Sequence, residues 1–173
     1  DSPLGPFTDP RGKPLIGPQY DSIDPTVFVD DDSQAYLYWG NPNLWYVKLN
    51  KDMVSCSGEV TKDSSVAKVP GRPDPFHYQE GPWAYKRDGH YYMAYASTCC
   101  PEGIGYAMSQ SPTGPWTFKG YVMNPSPASS GNHPGIIDYK GHSYVFGFNY
   151  YLNYLRTSTH HERRSVCVDE FTY

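Results

Sequence analysis

Residues 79–97 read QEGPWAYKRDGHYYMAYAS. A short apolar run, a polar turn and an aromatic run follow one another. That order marks a β-hairpin with turn residues where a tight turn needs them. The stretch decides the fold because the chain contains it three times. DPTVFVDDDSQAYLYW begins at Asp24, EGPWAYKRDGHYYMAY at Glu80 and HPGIIDYKGHSYVFGF at His133. Each copy opens on an ionisable residue followed by Pro or Gly. Each then turns, at Asp31-Asp32-Ser33, Arg87-Asp88-Gly89 or Lys140-Gly141-His142, and returns in an aromatic strand. The opening residues are 56 and 53 positions apart.

A second repeat supports the same period. SPLGPFTD at 2–9 matches SPTGPWTF at 111–118, with Gly5 and Gly114 separated by 109 positions. Ser-Pro-x-Gly-Pro-aromatic predicts a turn that feeds a strand of its own. One unit of about 55 residues then holds four strands, in the second unit roughly 82–87, 90–97, 103–109 and 116–122. Four antiparallel strands per repeat predict a β-propeller blade. A sandwich or jelly roll would not require the same ionisable position at the head of each unit.

Composition agrees with an all-β chain. There are 17 Tyr, 16 Gly and 17 Pro among 173 residues, and aromatics make up 16%. Aromatics favour strands, while Gly and Pro punctuate turns. Fourteen basic against 18 acidic residues, with no basic run, argue against a nucleic-acid partner. No apolar run is long enough to span a membrane as a helix. The four cysteines, Cys56, Cys99, Cys100 and Cys167, lack metal-site spacing and are expected to be free thiols.

In a propeller the innermost strand of each blade lines the central channel. Asp24, Glu80 and His133 are therefore expected to converge around one axis, and convergent ionisable groups in a concavity suit acid–base chemistry. The combination of IDPTVFVDDD, EGPW with RDGHYYMAYAS, SPTGPW, GNHPGII and RRSVCVDEFTY resembles glycoside hydrolase family 43. The resemblance covers essentially the whole chain and is nearest to the arabinofuranosidases and β-xylosidases that act on arabinoxylan. It implies a five-bladed propeller, with about three blades represented here. It also implies removal of terminal arabinofuranosyl or xylosyl units with inversion.

Residue by residue, the resemblance implies that Glu80 is the general acid. Partial burial beside Trp83 and a neighbouring carboxylate would keep it protonated. Asp24 would be the ionised carboxylate that tunes and orients the acid. His133 would lie at the channel floor near one structural Ca2+ or similar ion, largely water-coordinated, with no organic cofactor. Arg163 or Arg164 in HERRSVC would reach the sugar, and Arg164 is favoured. Trp39, Phe76, Trp83 and Tyr154 are candidate platforms for sugar rings. His90 and His142 fall in hairpin turns, and His160 and His161 in a polar loop, with no role assigned.

An inverting glycosidase also needs a base on the opposite face of the sugar. The resemblance implies an Asp in an early DP motif, on a first inner strand that this chain is expected to lack. Asp9-Pro10 spells the dipeptide but falls in an outer-strand region, so it is not that base. The expected organisation is the outer edge of a blade over 1–20, blades over 21–72 and 73–124, and a partial blade over 125–173. Exposed blade faces in such a fragment favour self-association or a complementary chain. The expected partner is a plant cell-wall polysaccharide or oligosaccharide, met in a secreted or periplasmic location. The alternative is a fragment that holds a pentose sugar without turnover. A protein-binding propeller of the tryptophan-aspartate type is the remote reading: no Trp-Asp dipeptide occurs, and Gly-His does not recur at the expected period of about 40–45 residues.

Overall fold

The structure, a computed structural model, describes residues 2–67, 74, 76–99, 101–157 and 164–173. Arg163, His160, His161 and Cys100 lie outside the described residues. Eleven strands form among those described, in three antiparallel sheets. The first sheet has the order β1-β2-β3-β4: Thr26–Val29, Ala35–Trp39, Trp45–Leu49 and Cys56–Lys62. The second has the order β5-β6-β7-β8: Tyr78–Arg87, His90–Ser97, Glu102–Ser109 and Thr117–Ser126. The third holds β9 (Gly135–Tyr139), β10 (His142–Asn149) and β11 (Ser165–Phe171), with β10 central. A short helix α1, Tyr151–Arg156, precedes β11. No helix is long and apolar enough to cross a membrane.

Each repeated hairpin is the inner pair of one sheet: β1-β2, β5-β6 and β9-β10. Two of them close on adjacent residues with positive φ, Asp88 (49°) with Gly89 (76°) and Lys140 (51°) with Gly141 (82°). That pair of conformations makes the turn whose twist matches the flanking strands, and Gly adopts it without cost.

The sheets stack side by side on aromatic layers. Between the first and second lie Tyr36, Tyr38, Tyr78, Tyr91, Met93, Tyr95 and Trp116. Between the second and third lie Ala94, Ile104 and Ile136, flanked by Trp83, Tyr85 and Val145. Strands β2 and β6 are buried on both faces because they run between such layers. As a result β5 lies against β1 and β2 on one side and β9 on the other, so the inner hairpins are neighbours.

Two expectations fail here. Residues 2–17 contain no strand, and only a single 3-10 turn, Pro18–Tyr20, follows. Their SPLGPFTD motif leaves Leu4 and Phe7 exposed, whereas in the later copy Trp116 is buried and β8 pairs with β7. Leu15, Ile16 and Tyr20 instead cover the outer layer of the first sheet. Nor are the cysteines uniformly free: Cys56 and Cys167 are thiols, but Cys99 is disulfide-bonded.

Candidate active site

Glu80 sits in a deformed part of β5. The pairing with β6 shifts register on both sides of it, between Tyr78 and Glu80 and between Glu80 and Trp83. Such bulges re-aim side chains, and Gly81 permits this one with φ at 61°. Asp24 precedes β1 with φ at 55°, a conformation a short acidic side chain tolerates. His133 closes the loop before β9.

These three residues meet. His133 Nε2 lies 3.4 Å from Glu80 Oε1 and 3.8 Å from Asp24 Oδ2. One ligand atom from each of the three falls within 4.8 Å of the others. The two carboxylate side chains are only 17% and 18% exposed. Asp24 and His133, with Thr26, Gly81, Trp83 and Pro134, line a cleft of about 140 Å³, and Glu80 adjoins it at His133. That is well below an ordinary ligand pocket of several hundred Å³, so these residues make one wall of a site.

Glycine is required at two places in that wall. A Cβ on Gly81 would stand 2.7 Å from Cγ of the His133 ring. A Cβ on Gly131 would stand 2.7 Å from Arg164 Nη2 and 3.7 Å from Glu80 Oε1. The bare backbone of Gly131 thus lets a guanidinium and a carboxylate approach the same spot. Arg164 is exposed, and its Cζ lies 4.7 Å from the centre of the Phe148 ring.

Burial pushes the Asp24 carboxyl above its ordinary pKa, and the Glu80 charge adds to this. His133, the Gly81 N–H and Arg164 pull it back down. Burial thus works against the ionised form that the resemblance implies for Asp24. The reason is lost hydration: Asp24 Oδ2 is buried and has no hydrogen-bond partner among the described residues. That orphaned oxygen, with the second carboxylate and the imidazole, suits a divalent cation. Calcium takes six to eight oxygen ligands, so waters would complete the shell.

The sugar-platform candidates divide. Trp83 lines the cleft, its indole N–H donating to the Ile136 carbonyl at 3.1 Å. Trp39 and Phe76 are buried and do not line this cleft. Trp39 is 2% exposed in the layer under the N-terminal segment, and Phe76 is 8% exposed between the first two sheets. Neither ring has a free face, because both were drawn into core layers. Tyr154 lies on α1, edge-on to Tyr150, and does not line the cleft.

Sequence reading misses Asn41, Glu102 and Asn132. Glu102, 2% exposed at the head of β7, accepts the Asn132 N–H at 2.8 Å. Asn132 Oδ1 in turn accepts the Phe148 N–H at 3.0 Å. The loop that carries His133 is thus clipped to both neighbouring sheets. The available signal was a lone Glu opening the apolar run EGIGYAM, where an exposed strand start is the simpler reading.

Burial is also the largest influence on Glu102 and raises its pKa, against the Asn132 hydrogen bond. For an acid raised in the folded state, the stabilising contribution is present below the ordinary value of 4.5 and lost as pH rises through the folded value. Glu102→Gln, which keeps an acceptor for Asn132, is therefore expected to be more stable than the parent at about pH 7. The gap should close toward about pH 4. Urea midpoints at several pH values check this, and a less stable Glu102→Gln near neutrality would contradict it.

The sequence profile of glycosyl hydrolases family 43 matches residues 1–173. The chain is 33% identical to a β-xylosidase of Xylanibacter ruminicola over 177 residues, covering 84% of this chain and 54% of that protein. It is 32% identical to a β-D-galactofuranosidase of Aspergillus niger over 184 residues, covering 99% of this chain and 49% of the relative. Among solved structures, an arabinoxylan arabinofuranohydrolase of Bacillus subtilis in complex with cellotetraose superposes with a TM-score of 0.81 at 28% identity. That match covers 100% of this chain and 41% of the other. The chain thus spans about half the length of the curated relatives it matches.

Proposed function

The chain belongs to glycosyl hydrolase family 43, and from that premise we propose that it carries the acid side of a pentoside-cleaving site. The substrate is a terminal arabinofuranosyl or xylosyl unit on arabinoxylan or a xylo-oligosaccharide. Glu80 gives its proton to the glycosidic oxygen as the bond to the anomeric carbon breaks. Water attacks that carbon from the opposite face and surrenders a proton to a second carboxylate, which inverts the configuration. That second carboxylate comes from outside this chain. Asp24 modulates and orients the acid, Arg164 contacts the sugar from the rim, and Trp83 offers a ring face.

One observation carries the reading: the acid candidate, a second carboxylate and an imidazole meet from three successive sheets. A bound calcium ion, held by His133 and Asp24 with waters, would add positive charge among them and fix their spacing. Release of arabinose or xylose from the natural oligosaccharide, whose leaving group needs a proton, compared with Glu80→Gln, tests the proposal. Absence of release, with xylo-oligosaccharide binding retained in calorimetry, would favour a pentose-binding fragment instead.

We further propose an extracytoplasmic location, because the polymer is met there and the Cys99 disulfide suits an oxidising compartment. Self-association is proposed from one face of the third sheet. Ile137, Tyr139, Phe146, Val166 and Val168 share that face and are exposed. Large contiguous apolar patches of this kind mark interaction surfaces. Light scattering at micromolar concentration is expected to give more than the 19.6 kDa monomer mass. A monodisperse monomer would contradict the proposal.

A further inference from the structure

The turn between β2 and β3 belongs to the first sheet, yet its Asn41 reaches Glu80 on the second. Asn41 Nδ2 donates to Glu80 Oε2 at 2.6 Å. Gln79 Nε2 donates to Asn41 Oδ1 at 3.1 Å. The two bonds agree on how the amide is turned. A side-chain NH2 group can only donate, so the atom it meets on Asn41 must be the carbonyl oxygen. The Asn41 NH2 therefore faces the carboxyl.

The turn itself is held firmly. The Tyr78 hydroxyl donates to the Gly40 carbonyl at 2.8 Å, and the Gly40 N–H donates to the Ile23 carbonyl at 3.0 Å. Gly40 has φ at 119°, and a Cβ there would meet Asn43 O at 2.1 Å. Asn41 thus approaches from a braced backbone rather than a free loop.

An NH2 donor on Oε2 makes that oxygen the acceptor. With Oε2 engaged, Oε1 is the oxygen left free, on the side shared with His133 and Asp24. We propose that Asn41 is a positioning residue for the general acid, fixing the Glu80 rotamer so that Oε1 is the oxygen presented to the substrate. This rests on the assignment of Glu80 as the acid.

Two measurements test it on the intact chain. In 1H–15N spectra the Asn41 side-chain amide, identified by its loss in Asn41→Ala, is expected downfield and protected from exchange. It should move on Glu80→Ala. An Asn41 amide that resembles exposed amides and ignores Glu80→Ala overturns the proposal, whatever the activity of the chain. The second measurement compares aryl xylosides that have good and poor leaving groups. Only the poor leaving group needs a well-placed proton, so Asn41→Ala should lose up to about 100-fold there and little on dinitrophenyl xyloside. Asn41→Asp, which keeps the shape but removes the donor, should not rescue the loss. Equal losses on both substrates would mean a merely structural role and overturn the proposal. A parent chain without turnover would count against the enzyme reading alone, since the amide spectrum still decides the contact.

Discussion

Where a partner supplies the second carboxylate, Glu80→Gln is expected to lower turnover of xylobiose by about 10²-fold to 10⁴-fold, the usual contribution of a positioned proton donor. The substitution keeps the size of the side chain and an oxygen that can accept from Asn41 Nδ2, now 2.6 Å away. It removes the transferable proton. Folding should survive, because Glu80 sits in a bulged part of β5 rather than inside an aromatic layer. The loss should shrink on aryl glycosides with good leaving groups, which depart without protonation. Initial rates on xylobiose and on p-nitrophenyl xyloside, with circular dichroism to confirm the fold, check this. Equal rates for parent and Glu80→Gln on xylobiose would remove Glu80 from the acid role.

Gly81→Ala should damage the site by a different route. Two costs coincide at this position. The backbone holds φ at 61°, and a non-glycine residue there costs on the order of 1–3 kcal/mol. The new methyl group would also stand 2.7 to 3.0 Å from three atoms of the His133 ring. Relief requires moving the imidazole or straightening the bulge that aims Glu80. Gly89→Ala is the matched control, with φ at 76° and nothing within 4 Å of its Cβ. Both variants should lose stability in urea titration, Gly81→Ala at least as much as Gly89→Ala. Only Gly81→Ala should lose xylo-oligosaccharide binding in calorimetry. Equal binding by the two variants would show that the contact between Gly81 and His133 does not shape the site.

Much of this architecture was legible because it is local and repeated. A polar turn between an apolar and an aromatic run specifies a hairpin, and Asp88-Gly89 and Lys140-Gly141 adopt the required conformations. Equivalent placement of three hairpins then brings Asp24, Glu80 and His133 together without any further information. What stayed hidden depends on contacts between sheets. Aromatic character does not say which side of a sheet a ring takes, so Trp39 and Phe76 read like Trp83 but are core. The SPLGPFTD segment has the same turn chemistry as SPTGPWTF. Only the latter has a neighbouring β7 edge to pair with and a core gap for Trp116. Asn41 and Glu102 act across blade boundaries from positions that do not repeat, so no period exposes them. The disulfide at Cys99 likewise carries no spacing signal.

The central claim is that three residues distant in sequence form one sugar-facing wall. A crystal structure of the chain soaked with xylotriose tests it most directly. The account predicts a terminal sugar against Trp83, with its glycosidic oxygen within hydrogen-bond distance of the Glu80 carboxyl and Asp24 beside it. A sugar bound elsewhere, or a Glu80 carboxyl turned to bulk solvent away from Asp24 and His133, would contradict it.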